Sequence, residues 1–198
     1  MSNLDRHIPE FRRDITKERY DISPEGILLK RSSVLISGLY VEGIKGKPES
    51  FRAHRNLIVD EGIAHILNTI CGTATKISAW YIAPFSGSAS PAANWTAANF
   101  ASNATEITST SEGFSETTRQ QASFGTASGG VINNYSSKAS FTINCTTTLN
   151  ILGAGLLSVN TRGGTTGTLL SAVKFSSARG LADDDIWQAG YQVSLTDS

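Results

Sequence analysis

Ile186-Trp187-Gln188-Ala189-Gly190-Tyr191-Gln192-Val193-Ser194-Leu195 is the stretch that decides the fold class of this 198-residue chain. Trp187, Ala189, Tyr191, Val193 and Leu195 recur at every second position. A period of two puts all five on one face of an extended backbone, whereas a helix would scatter them around its circumference. The segment therefore predicts a half-buried strand, and a strand needs partners to be stable in water.

Upstream, Leu181-Ala182-Asp183-Asp184-Asp185 reads as a turn and residues 168–175 as a strand. Leu149, Ile151 and Leu152, followed by residues 154–159, read as a buried strand broken by Gly153 and Gly155. Residues 138–144 alternate cleanly. Residues 131–135 and 122–125 are shorter strands, and 104–110 a candidate edge. Residues 77–85 form an apolar strand centred on Trp80-Tyr81-Ile82, and 86–100 a long loop with a short helical turn. About eight short strands separated by turns, with no strand–helix alternation and no internal repeat, predict a mainly β chain. The expected architecture is an antiparallel β-sandwich, jelly-roll-like, with one short helix and an extended N-terminal arm.

The helix is expected at residues 60–71. Asp60 is placed to cap its first N–H groups, Ile63, Ile66, Leu67 and Ile70 share one face, and Gly72 suits a left-handed terminus. This apolar stripe is expected to cover Trp80, or Tyr81 on the opposite face. Nearer the N-terminus, residues 27–29, 34–36 and 39–41 read as separate short strands punctuated by Gly38 and Gly43. Residues 46–50 read as a turn and 51–57 as an edge strand.

Charge is distributed unevenly. Residues 1–62 hold 21 of the 34 Asp, Glu, Lys and Arg side chains, and the remaining 136 residues hold 13. This divides the chain into an arm with edge strands, residues 1–50, and a sandwich body, residues 51–198. Phe11, Ile15, Tyr20 and Ile22 are too sparse to build a core and too apolar for a purely solvated tail. Arg12, Arg13, Lys17 and Arg19 interleave with Asp14, Glu18 and Asp21, which suits a mixed-charge protein surface. Phe11, Arg12, Arg13, Ile15, Tyr20 and Ile22 are therefore the candidate partner-binding residues. An extended segment of about 25 residues spans roughly 80 Å, enough to cross onto neighbouring subunits.

The bulk numbers exclude several classes. Formal net charge is zero, which argues against general capture of nucleic acid or of an anionic membrane. No apolar run approaches the roughly 18 residues of a membrane-crossing helix. Met1-Ser2-Asn3-Leu4-Asp5-Arg6 lacks the apolar core of a secretion signal, so assembly in a cytoplasm is expected. Cys71 and Cys145, without metal or redox spacing, are expected to be free, buried thiols.

Catalytic signals are sparse, and neither an enzyme nor a cofactor is expected. His7, His54 and His65 are widely spaced, and no metalloprotease, nucleophile-elbow or Cys/His pattern occurs. Gly163-Gly164-Thr165-Thr166-Gly167 lacks the lysine of a phosphate loop and reads as a surface hairpin. Asp183-Asp184-Asp185 reads as a solvated turn, with a weak calcium site as the alternative. Glu116 and Arg119 are expected to pair across a turn.

One resemblance emerges from the order of motifs. Asn56-Leu57-Ile58-Val59-Asp60-Glu61-Gly62, Trp80-Tyr81-Ile82, Trp95-Thr96 and Phe114-Ser115-Glu116-Thr117-Thr118-Arg119 occur in succession. Asn160-Thr161-Arg162-Gly163-Gly164-Thr165-Thr166-Gly167-Thr168-Leu169 follows. Together these residues resemble small structural proteins of tailed bacteriophages. The resemblance covers roughly residues 56–198 and implies a jelly-roll-like body, in some members a capsid cement or decoration protein. It implies the major capsid protein and other copies of the chain, as a homotrimer, as partners on the capsid exterior of the virion. The alternative is a head–tail adaptor, tail or fibre-attachment protein. The arm lies outside the resemblance and rests on the residues alone.

Overall fold

The computed structural model describes residues 20–22, 24, 26–30 and 34–197. Two compact units divide the chain, residues 1–35 with 195–198 and residues 36–194. In the first, β1 (Tyr20–Ile22) pairs antiparallel with β2 (Leu28–Lys30), Tyr20 opposite Lys30. Gly26, at φ +80°, supplies the left-handed step in their connection that other residues resist.

The second unit is an antiparallel β-sandwich. One sheet contains β3 (Val34–Ile44), β4 (Lys47–Arg55), β7 (Gly113–Phe114), β10 (Ala139–Asn144) and β13 (Ile186–Asp197), in the order β4-β3-β13-β10-β7. β9 (Val131–Asn133) also pairs with β13. The other sheet contains β5 (Leu57–Ile58), β6 (Tyr81–Phe85), β8 (Gln120–Gln121), β11 (Leu149–Leu157) and β12 (Leu169–Leu181), in the order β5-β12-β11-β6-β8. This unit takes in β3 from Ile36 onward and all of β4, the strand at the edge of its sheet.

The alternation that predicted β13 is realised from Trp187 to Tyr191, whereas Val193 is half-buried and Leu195 is exposed. Trp187, Ala189 and Tyr191 are buried and meet Leu156, Val173 and Phe175 of the facing sheet in one core. The second sheet is covered on its other face too. There Ala83, Phe85, Leu157, Leu169 and Ala172 lie beneath Trp95 and Phe100. Phe85, Trp95 and Phe100 meet edge to face with centroids 6.1 to 6.5 Å apart. A sheet buried on both sides carries continuous apolar runs, which accounts for residues 154–157 and 169–173.

Phe100 stands on a helix of two turns, Ala97–Ala104, within the segment expected to be mostly loop. Asn99 Oδ1 accepts the Thr96 N–H at 2.8 Å and so caps its start. Thr105, at φ +54°, ends it. Residues 104–110 consequently form no edge strand, and only Glu106 bridges to Phe85. Residues 122–125 likewise form no strand.

Glycines expected to break strands lie inside them. A Cβ on Gly43 would sit 2.6 Å from the Phe51 ring, and β3 continues through it for 11 residues, its register with β4 shifting between Glu42 and Ile44. In β11, a Cβ on Gly155 would sit 2.5 Å from the Phe100 ring. These positions are small because an aromatic ring already fills the space. Gly155→Ala is expected to lower stability by about 1–3 kcal/mol through overpacking. Gly125→Ala, whose added carbon meets its nearest neighbour at 3.9 Å, is the near-neutral control. Urea denaturation of both variants checks this, and equal midpoints would contradict the packing.

Candidate functional site

The predicted helix forms at Asp60–Ile70 and is named α1, with Ala97–Ala104 as α2. Val59 rather than Asp60 takes the N-cap, and Asp60 and Glu61 occupy the first turn, where acids suit the helix dipole. Its C-terminus is not left-handed. Cys71 stays in the right-handed region and its N–H donates to Leu67 O at 2.8 Å.

Two features orient α1. Glu61 Oε2 accepts the N–H of Ala97 at 2.8 Å and that of Leu169 at 2.7 Å. Gly62 is buried against β12, where a Cβ would lie 2.2 Å from Leu170 O. The helix thus lies on the sheet by its Gly62 and Ile66 side, with His65 and Thr69 half-buried. Ile63, Leu67 and Ile70 are 39, 55 and 68% exposed. The expected stripe is therefore split, and three of its four members face water. Trp80 is half-buried and meets His65 edge-on at 5.8 Å; the exposed members do not cover it. Cys71 is exposed rather than buried, Cys145 is buried, and both thiols are free.

Beside Trp80 a half-open cleft of about 380 Å³ is floored by Phe124, Ile132, Leu170 and Val193, with Lys76 and Gln121 among its polar lining. The exposed face of α1 and this cleft are two accessible apolar features of the body; a more open cleft lined by Val41, Pro48, Phe51 and Tyr135 is another.

Buried charge does structural work. Glu42 on β3 is 1% exposed. Its carboxylate accepts Arg179 Nε at 2.9 Å, Arg179 Nη2 at 2.7 Å and Trp187 Nε1 at 2.9 Å, with His54 Nε2 at 3.4 Å. Burial alone would raise its pKa, but the hydrogen bonds from His54, Arg179 and Trp187 outweigh burial and hold the carboxyl below its ordinary value. The His54 ring stacks on Phe175 at 4.4 Å.

A second knot ties the loops. Arg119, 2% exposed, donates to both oxygens of Glu106, at 2.8 and 2.7 Å. Glu116, its expected partner, instead accepts the Thr142 N–H at 2.9 Å. Glu106 wins because it lies buried beside Arg119, where an unpaired charge would be costly. Arg162 donates to the carbonyls of Ile107, Ser109, Phe114 and Glu116 and lies over the Phe114 ring at 5.4 Å. Its pKa is lowered chiefly by burial, partly offset by Glu106 and Glu116. Gly163 N–H donates to Glu106 Oε2 at 3.1 Å, so this glycine-rich loop holds a protein carboxylate.

In the acidic turn, Asp183 Oδ1 accepts Cys145 N–H at 3.0 Å and Asp185 Oδ2 accepts Ala182 N–H at 3.0 Å. Asp184 is left-handed at φ +64°. Two of the three carboxylates thus cap backbone, and among the described residues no group of three His, Cys, Asp or Glu is placed to hold a metal ion. Of the predicted arm residues, Tyr20 and Ile22 are the ends of β1. Phe11, Arg12, Arg13 and Ile15 lie outside the described residues, as does His7.

The knots escaped pattern reading, although a signal exists for them. Glu42 stands between Val41 and Gly43, and Arg179 between Ala178 and Gly180. A lone charge inside a strand buries itself only with a partner. No protein-family model matches the chain, and no curated protein matches it.

Glu42→Gln is expected to cost about 3 kcal/mol, because it leaves the Arg179 charge buried and unpaired. A carboxyl held below its ordinary value contributes stability above that value, 4.5, and loses it as pH falls through the lower folded value. Unfolding midpoints of the native protein should therefore drop on acidification below about 4.5, and those of Glu42→Gln should drop less. Parallel pH profiles for the two proteins would refute the assignment.

Proposed function

We propose that this protein is a structural component of a tailed-bacteriophage virion, a capsid cement or decoration protein. In this reading its jelly-roll-like body sits on the capsid exterior as a homo-oligomer, and its N-terminal arm grips the major capsid protein. The observation that carries the reading is the division of charge between the two parts. In the body, Glu42, Glu61, Glu106, Glu116, Arg119, Arg162 and Arg179 are all engaged in internal hydrogen bonds. Their chemistry is consumed by the fold. In the sequence of the N-terminal segment, Phe11, Arg12, Arg13, Ile15, Tyr20 and Ile22 stand among alternating charges. Large apolar anchors with a charged surround suit a protein surface, and a segment that orders on binding gains contact area there.

Many of the motifs that resemble phage structural proteins fall on the elements that build the body. Asn56 to Gly62 spans β5 and the start of α1, and Arg119 and Arg162 tie the loops. They support a shared architecture. The competing reading, a head–tail adaptor, tail or fibre-attachment protein, predicts a dozen copies or fewer per particle, and decoration predicts hundreds. Densitometry of purified particles on a denaturing gel separates the two.

Deletion of residues 1–25 is expected to leave the body folded, with an unchanged unfolding midpoint, and to weaken its co-sedimentation with capsids. Truncated protein that decorates particles as tightly as the full chain would remove the arm from the attachment.

A further inference from the structure

The outward side of α1 combines exposed aliphatic side chains with an ordered charge pattern. Ile63, Leu67 and Ile70 stand at i, i+4 and i+7, a stripe about 10 Å long at 1.5 Å per residue. All three are exposed. From residue 62 to residue 75 the sequence contains no Asp, Glu, Lys or Arg. Formal charge stands only at the two ends, with opposite signs: Asp60 and Glu61 before the stripe and Lys76 after it. Glu61 is taken up by the N–H groups of Ala97 and Leu169, which leaves Asp60, exposed, as the outward acid. Lys76, at the mouth of the cleft beside Trp80, is exposed as well, and the Ala74 N–H, which donates to Asn68 O at 3.2 Å, keeps the chain leading to it at the end of the helix.

We infer that this face of α1 pairs with the same face of a second copy, antiparallel about a two-fold axis near Leu67. The charge pattern selects that occupant. A two-fold contact presents the same surface to itself in reverse order. The Asp60 end of each helix then approaches the Lys76 end of the other, so two attractions form together. The uncharged middle brings aliphatic groups together without desolvating a charge. Antiparallel helices also set their dipoles head to tail. A uniformly acidic or basic partner would match one end of the stripe and oppose the other. This pairing concerns the free protein and does not rest on the virion reading.

Sedimentation equilibrium over a dilution series of the full chain tests it. The expected mass at the high end is that of two chains. Leu67→Glu should raise the dissociation constant more than about tenfold, because it would bury a charge at the axis. Its thermal unfolding should be unchanged, since Leu67 is 55% exposed. Lys76→Glu should weaken pairing about two- to five-fold in low salt and have less effect in high salt. Mild oxidation of Leu67→Cys in a Cys71→Ser background should give a covalent dimer, since the residue nearest the axis faces its own copy. That variant keeps the proposal testable if Leu67→Glu unfolds. A monomer throughout the series overturns the inference, as does a trimer or larger species. A dimer that neither Leu67→Glu loosens nor residue 67 cross-links overturns it too. A dimer loosened by Leu67→Glu but not cross-linked through residue 67 overturns the antiparallel geometry.

Discussion

The carboxylate of Glu42 is the point at which the two sheets are locked to one another. It sits on β3, receives Trp187 from β13 in the same sheet, and receives Arg179 from β12 in the facing sheet. Arg179 also donates to the Ser50 carbonyl on β4 at 2.7 Å. Removing these charges from water costs several kcal/mol, and the cost is offset only while every partner is in place. A slip of one residue in β3, β12 or β13 would turn a partner to the opposite face and strand the charge. Hydrophobic burial supplies the drive to collapse, and this ion pair discriminates between registers.

Glu106 and Arg119 play the corresponding part in the loops. The segments around residues 105–119 and 158–167 have little regular structure, yet they are held by Arg119 and Arg162 reaching backbone carbonyls in both. Guanidinium groups suit this role because their five donors lie in a fixed plane and can satisfy several carbonyls at once. Thr, Ser and Gly elsewhere in these loops need only permit the turns. This is how a stretch with so few charges can place nearly all of them in structural contacts.

The sandwich was legible because alternation in β13 and β10 is a local property of the chain. The glycines misled for a physical reason. Gly43 and Gly155 read as breaks, but their missing side chains make room for Phe51 and Phe100, which approach from distant positions. The same limit applies to α1. Its periodicity was legible and its orientation was not, because Gly62 and Glu61 set the buried side through contacts with Leu170, Ala97 and Leu169. Pairing of Arg119 with Glu106 rather than Glu116 was likewise invisible, since sequence distance favoured the wrong carboxylate. The arm residues were singled out from composition alone, and of these only Tyr20 and Ile22 fall among the described residues.

The ends of the sheets have a consequence for life at high concentration. β5, β7 and β8, which close three of the four ends of the strand orders, are two residues long. The fourth end, β4, is nine residues long and carries Lys47, Pro48, Glu49, Arg52 and Arg55 exposed. Open strands are templates for runaway stacking into fibres, and short or charged rims deny them a foothold. A protein so built can be concentrated without the two sheets of its sandwich recruiting one another by their ends.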